Sequence, residues 1–138
     1  MSFRVRETAP EDYADLHRSL DEPDVLLLLD GVRHEACPVA LTAAAPDGSV
    51  LGVGWIAGRR ELATGPSGLE LNVVATTPGV ATALGEAALT RARDAGLGTV
   101  FGDSQRLSRS VQQALEHRWH AERWPTDSDF WEVRLDRT

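Results

Sequence analysis

The chain contains no lysine: all 14 of its basic residues are arginine. No lysine side chain can therefore act as a general base or form a Schiff base. Cysteine is nearly absent as well. The single Cys37 excludes an internal disulfide and fits a reducing compartment. It precedes Pro38 without a convincing base beside it in sequence, so packing is a better reading of it than nucleophilic chemistry. No apolar run approaches the ~20 residues a membrane-spanning helix needs. The longest, Val25 to Leu29, has five. Positive charge is in deficit, with 21 acidic residues and a net charge of −7. Such a chain lacks the basic face that generic nucleic-acid binding requires; its field could favour a cationic substrate such as an amine, although most of the charge reads simply as solvated surface. His, Cys and carboxylate residues do not recur at metal-ligand spacing, so no metal is expected. The opening Met-Ser-Phe-Arg-Val-Arg-Glu reads as a charged strand rather than a signal peptide, and the expected compartment is the cytoplasm, with no membrane partner.

What remains is the composition of an ordinary globular domain: 138 residues, 42% hydrophobic and 25% charged. That length suffices for one core without staples. Residues 1–138 read as a single domain, without repeats or composition breaks. Phe3 to Arg6 alternates as a strand. Thr8-Ala9-Pro10-Glu11 has the signature of a helix start, with Tyr13, Leu16 and Leu20 as the buried stripe. Val25 to Leu29 reads as a second helix or helical turn. Pro46-Asp47-Gly48 joins Pro38–Ala45 to Ser49–Gly58 in a hairpin. Thr64 to Gly68 marks a turn, and Leu69 to Ala75 forms the fourth strand. A helix follows over Val80–Ala95, closed by Gly96 and Gly98. Thr99–Gly102 is a strand and Ser108–Trp119 a helix. Trp119–Trp124 and Phe130–Leu135 alternate as strands around a loop at Pro125–Ser128. The order predicts an α/β fold with a mixed sheet, mostly antiparallel, around a central strand–helix–strand unit.

The most informative segment is Thr76 to Leu84, T-T-P-G-V-A-T-A-L, between the fourth strand and the helix after it. A turn of small residues opening a helix leaves backbone N–H groups unpaired where the helix dipole is positive, a natural seat for a phosphate. Gly79 permits close approach and Ala81 keeps the first turn slim. A plain strand-to-helix turn would look similar.

This element order, with its glycine turn, resembles the GNAT superfamily of acyl-CoA-dependent N-acetyltransferases over nearly the whole chain. The family's pyrophosphate loop reads Arg or Gln, two residues, Gly, one residue, Gly or Ala; here those positions hold Thr76, Gly79 and Ala81. Pro78 departs from the pattern and removes a backbone donor. A family helix reading Asn-x-x-Ala-x-x-x-Tyr-Glu-x-x-Gly-Phe overlies Ser108, Val111, Leu115, Glu116, Trp119 and His120. Leu115 stands where the family's frequent proton-donating tyrosine would be, and leucine has no proton to give. The resemblance implies acetyl-CoA or another acyl-CoA as donor and a small amine as acceptor. It places the donor against Asn72, Val73, Val74, Ala75, Thr76, Thr77, Gly79, Val80, Ala81 and Ser108. A homodimer through the closing strands is common in such folds. The alternative is a GNAT fold without acetyltransferase activity, serving as an accessory module or using the groove for another ligand.

Glu70 is the candidate general base, in the strand where family members often carry an active-site carboxylate. Alternation puts it on the face opposite Leu69 and Leu71, which would also suit a solvent-facing residue. His117 and His120 follow the position of the missing tyrosine and could carry protons near neutral pH, or sit on a wet helix end. His17 and His34 are expected on the surface. Asp103-Ser104 lies at the carboxyl end of the fifth strand, where ligands often bind, or caps a turn. The four tryptophans are expected in the core and on sheet faces, with one or two available to line a cleft.

Overall fold

A computed structural model describes residues 2–12, 15–16, 37–58, 68–124 and 127–137. Tyr13, Leu20, the Val25–Leu29 segment, His17 and His34 lie outside the described residues. The strands are β1 (Arg4–Glu7), β2 (Val39–Ala44), β3 (Val50–Gly58), β4 (Leu69–Ala75), β5 (Thr99–Asp103), β6 (Glu122–Trp124) and β7 (Asp127–Arg134). The helices are α1 (Pro78–Asp94) and α2 (Arg109–Arg118), and short 3₁₀ turns occupy Pro10–Asp12 and Leu135–Arg137. The strands form one sheet in the order β1-β2-β3-β4-β5-β7-β6. Every pairing is antiparallel except that of β4 with β5, which the α1 crossover makes parallel. This is the mixed sheet expected from the sequence. No helix among the described residues is long and apolar enough to cross a membrane.

Hydrophobic pattern divides the core between the two faces of the sheet. Leu41, Ile56, Leu71, Val100 and Val133 meet Val80, Leu84, Leu89, Val111 and Leu115 from the helices. On the opposite face Val50, Val53, Trp55 and Ala57 pack around Leu16, which is completely buried. Leu16 is the one member of the expected N-terminal stripe within the described residues. Strand β3 is therefore buried on both sides, which explains its nearly unbroken apolar run.

Three boundaries differ from the sequence reading by two residues or more. Helix α1 begins at Pro78 rather than Val80, because Thr77 caps it and proline occupies the first turn, where its missing N–H has no intrahelical partner to lose. Trp119 does not start a strand; it ends α2 and is buried in the helix-side core. His120 then takes a left-handed φ of 53°, and the Ala121 amide returns to the Leu115 carbonyl, delaying β6 until Glu122. Strand β7 starts at Asp127, paired with Trp124, so the expected loop is shorter. Gly96 follows α1 with a φ of 82°, the left-handed turn glycine supplies at helix ends.

Candidate active site

Strands β4 and β5 pair only at Glu70↔Phe101 and Leu71↔Gly102. Beyond that point they separate, although β4 stays paired with β3 as far as Ala75. The β5-facing backbone edge of Asn72 to Ala75 thus borders a gap. Gly102, the last paired residue of β5, lies under Leu107, and a β-carbon there would come within 2.7 Å of the Leu107 Cδ1. Asn72, Val73 and Val74 from β4, with Arg106 and Leu107 from the β5–α2 turn, line a cavity of about 300 Å³ in this gap. That volume lies at the lower end of the range for small-molecule sites.

Glu70 stands at the point where the strands part. Its register opposite Ala57, and that of Asn72 opposite Trp55, puts both side chains on the face away from the helices. The expected face is right, but Glu70 is not solvent-facing: it is 6% exposed. Nη1 of Arg106 approaches Oε2 of Glu70 at 3.9 Å, an ion-pair distance longer than a hydrogen bond. Sequence reasoning missed Arg106 and Leu107. The signal was an arginine a few residues beyond a strand's carboxyl end at a topological switch point.

The turn that carries them is held by two capping systems. Asp103 Oδ1 accepts from the Gln105 amide at 2.9 Å, and its carbonyl accepts from the amides of Arg106 and Leu107. Asp103 is thus a turn cap, the second of its expected readings. Gln112 donates from Nε2 to the carbonyls of Ser104 and Leu107 at 3.0 and 2.9 Å, while its Oε1 accepts from Trp131 Nε1 at 3.2 Å.

At the other end of the gap, the β4–α1 turn is partly committed. The Thr76 amide donates to Leu51 O, Val80 N to the Thr77 hydroxyl at 3.3 Å, and Ala81 N to Thr77 O. Among the described residues, the amides of Thr77 and Gly79 donate to no protein acceptor. A β-carbon on Gly79 would meet no protein atom within 4 Å, so its small size answers no need of the protein's own packing. Ser108 caps α2 by accepting from Val111 N, and Ser110 Oγ donates to Pro78 O at 3.4 Å, setting the starts of the two helices side by side.

The remaining candidates lie elsewhere. His117 and His120 are exposed at the far end of α2, about 15 Å from the cavity along a helix rising ~1.5 Å per residue. Leu115 faces the helix-side core and is 1% exposed. Cys37 donates to Val39 O, and burial pushes its thiol up to about 11, leaving it un-ionised at neutral pH. Neither Trp55 nor Trp119 lines the cavity; both are core residues.

Similar solved structures show that the chain has the fold of GNAT family acetyltransferases. Among solved structures, the chain is similar to a GNAT family N-acetyltransferase (YhbS) from Escherichia coli in complex with CoA, with a TM-score of 0.70 and 20% identity over 96% of this chain and 81% of that one. It is similar to a GNAT family acetyltransferase from Brucella melitensis in complex with acetyl-CoA, with a TM-score of 0.71 and 16% identity over 96% and 88%. A phosphinothricin acetyltransferase from Sinorhizobium meliloti in complex with acetyl-CoA gives a TM-score of 0.68 and 14% identity over 98% and 89%. No protein-family model matches the chain, and no curated protein matches it. The shared property is the fold.

Proposed function

We propose that this protein is an acyl-CoA-dependent N-acyltransferase, with acetyl-CoA the expected donor and a small amine the acceptor. The observation that carries this reading is the parting of β4 and β5 over a lined cavity, with a buried carboxylate, Glu70, in the short paired stretch just before the strands part. The CoA and acetyl-CoA complexes among the similar structures support the choice of donor.

The residues present fit such a donor. Open space at Gly79 and the amides of Thr77 and Gly79 suit a pyrophosphate, and α1 has no acid in its first turn to repel one. The backbone edge of Asn72 to Ala75 would align the extended arm, as one strand aligns another. When bound, acyl-CoA supplies a thioester carbonyl open to attack. The chain's own part is to hold an amine beside that carbonyl and remove a proton from its nitrogen, for which Glu70 is the base within the gap. His117 and His120 have no part in this reading, because the fold keeps them at the far end of α2.

A second reading, an accessory module that has lost the donor, is favoured by two features of the turn. The Thr76 amide is engaged by Leu51, and Pro78 offers no N–H. Calorimetric titration with acetyl-CoA and with free CoA separates the two. Saturable binding with Kd on the order of micromolar is expected and would justify a screen of amines. Heat from neither ligand would sink the transferase reading in favour of the accessory module.

A further inference from the structure

Among the described residues that line the cavity between β4 and β5, Arg106 alone carries a charge. The lining comes from both faces of the sheet. Val73 and Leu107 belong to the helix-side core, whereas Val74 packs with the cluster on the opposite face. Arg106 reaches that opposite face, where it lies 3.9 Å from Glu70. The backbone that carries it is fixed. The amides of Arg106 and Leu107 donate to the Asp103 carbonyl at 3.0 and 2.9 Å, and the Ser104 amide donates to the Asp129 carbonyl at 2.8 Å. Gln112 holds the carbonyls of Ser104 and Leu107, one on either side of Arg106. A cation rooted in so firm a turn is preorganised for a ligand. Neutralising Glu70 does not account for the whole of this placement. At Arg6 and Asp12, where an arginine serves a buried carboxylate structurally, the two meet at 2.7 and 2.6 Å. The Arg106 side chain is also 37% exposed, against 8% for Glu70. Its planar fork has five N–H donors, enough to keep the contact with Glu70 while another edge takes a second anion.

We propose that Arg106 sets acceptor specificity by binding a carboxylate close to the reacting amine, so that the acceptor is a free amino acid. The inference rests on the acyltransferase reading and adds the substrate class and the residue that selects it. The phosphate seat at the start of α1 puts the donor's entry on the helix face. The acceptor then comes to the gap from the opposite face, which is the face Arg106 reaches. A chain at −7 gives an anion no long-range attraction, so a carboxylate is held only by a cation within the site. An amino acid is a zwitterion without net charge, and that field does not repel it. The cavity is about 300 Å³, which favours an acceptor whose amine and carboxylate lie close together. With the carboxylate on the Arg106 fork, the α-nitrogen is confined to a short arc beside the gap, and that confinement is what speeds attack. An amine without the carboxylate loses this anchor. For a charged hydrogen-bonded pair the resulting discrimination is on the order of 10–100-fold.

Thiol release from acetyl-CoA tests this with acceptors in matched sets: each standard amino acid, its carboxamide, and the amine in which hydrogen replaces the carboxylate. Leucine, leucinamide and isopentylamine form one such set. At least one amino acid should be turned over with a kcat/KM about 10–100-fold above both of its counterparts. Arg106→Gln should bring that ratio close to one, chiefly by raising KM for the amino acid. Arg106→Lys, which keeps the charge without the fork, should retain part of the preference. Thermal unfolding establishes that each variant is folded. An arginine acting only through Glu70 would change all three acceptors alike, so an Arg106→Gln variant that keeps the ratio would overturn the proposal. Wild-type preference for carboxamides or simple amines would overturn it, as would turnover of none of the amino acids by a protein that binds CoA. A fall in CoA affinity in Arg106→Gln with the preference intact would assign the guanidinium to the donor instead. Calorimetry with CoA comes first: absence of binding to the wild-type protein would defeat the acyltransferase reading itself.

Discussion

Glu70 and Asp12 are both buried carboxylates beside an arginine, and the fold uses them differently. Asp12 is bound at both oxygens by Arg6, at 2.7 and 2.6 Å, with the Ala9 amide adding a third bond at 2.7 Å. Those arginine bonds, opposed by burial and helped by the Ala9 amide, hold the Asp12 carboxyl below the usual range. An aspartate titrating near ~3.9 when unfolded and lower when folded adds stability that is present above that value. The contribution disappears as pH falls through the folded value. Asp12→Asn should cost about 1–3 kcal/mol at neutral pH, and its deficit should shrink below pH ~4, as read by urea unfolding at both pH values. Glu70 instead meets Arg106, which lines the cavity, at 3.9 Å. Glu70→Gln should slow acyl transfer by about 10²–10⁴-fold and leave the CoA heat signal in place; an unaltered rate would remove Glu70 from the chemistry. Strand alternation made the face of Glu70 legible in the sequence. Its burial was not, because the cover on that face includes Leu16, more than fifty positions away in the chain.

At the scale of elements, the parting of β4 from β5 depends on the turn after β5. Gln112 ties that turn to α2 and β7 with three hydrogen bonds, and all its polar atoms act within the protein. Gln112→Leu keeps the volume but strands two carbonyls and the Trp131 indole N–H. It should lower stability by about 1–3 kcal/mol, seen as a drop in Tm, and weaken CoA binding by loosening Arg106 and Leu107. Unchanged affinity beside a lowered Tm would mean that the turn's position is set elsewhere. Most elements were legible because their signals are local: the Pro46-Asp47-Gly48 turn, the apolar stripe of α1, the glycines after it. The parting itself was not legible, since no periodicity within β4 marks where its partner leaves; the GNAT resemblance only placed the donor along Asn72 to Ala75. The ends around Trp119 and His120 were misread for a related reason. The return bond from Ala121 to Leu115 and the burial of Trp119 are tertiary facts that an alternating pattern does not contain.

For the whole molecule, the question is whether the site can be removed without disturbing the fold, and Gly79 offers the test. The helix-side part of the core lies between the sheet and one face of α1, through Val80, Leu84 and Leu89, whereas Gly79 in the first turn is exposed. Its φ is not in the left-handed region, and a β-carbon there would meet no protein atom within 4 Å. Replacing it with glutamate removes a helix-weakening glycine and sets a carboxylate near the positive end of α1's dipole. Both effects are expected to raise helix stability, by about 0.5–1 kcal/mol for the glycine and about 0.3–1 kcal/mol for the charge. The same carboxylate would stand where the proposal puts the pyrophosphate, adding like charge in a protein already at −7 and filling the approach. Gly79→Glu should therefore keep or raise Tm while abolishing CoA binding in calorimetry. A large fall in Tm would show that the turn is part of the fold's support. CoA affinity equal to the wild type in a well-folded variant would move the phosphate seat away from α1 and leave the parted strands as the only anchor for the donor.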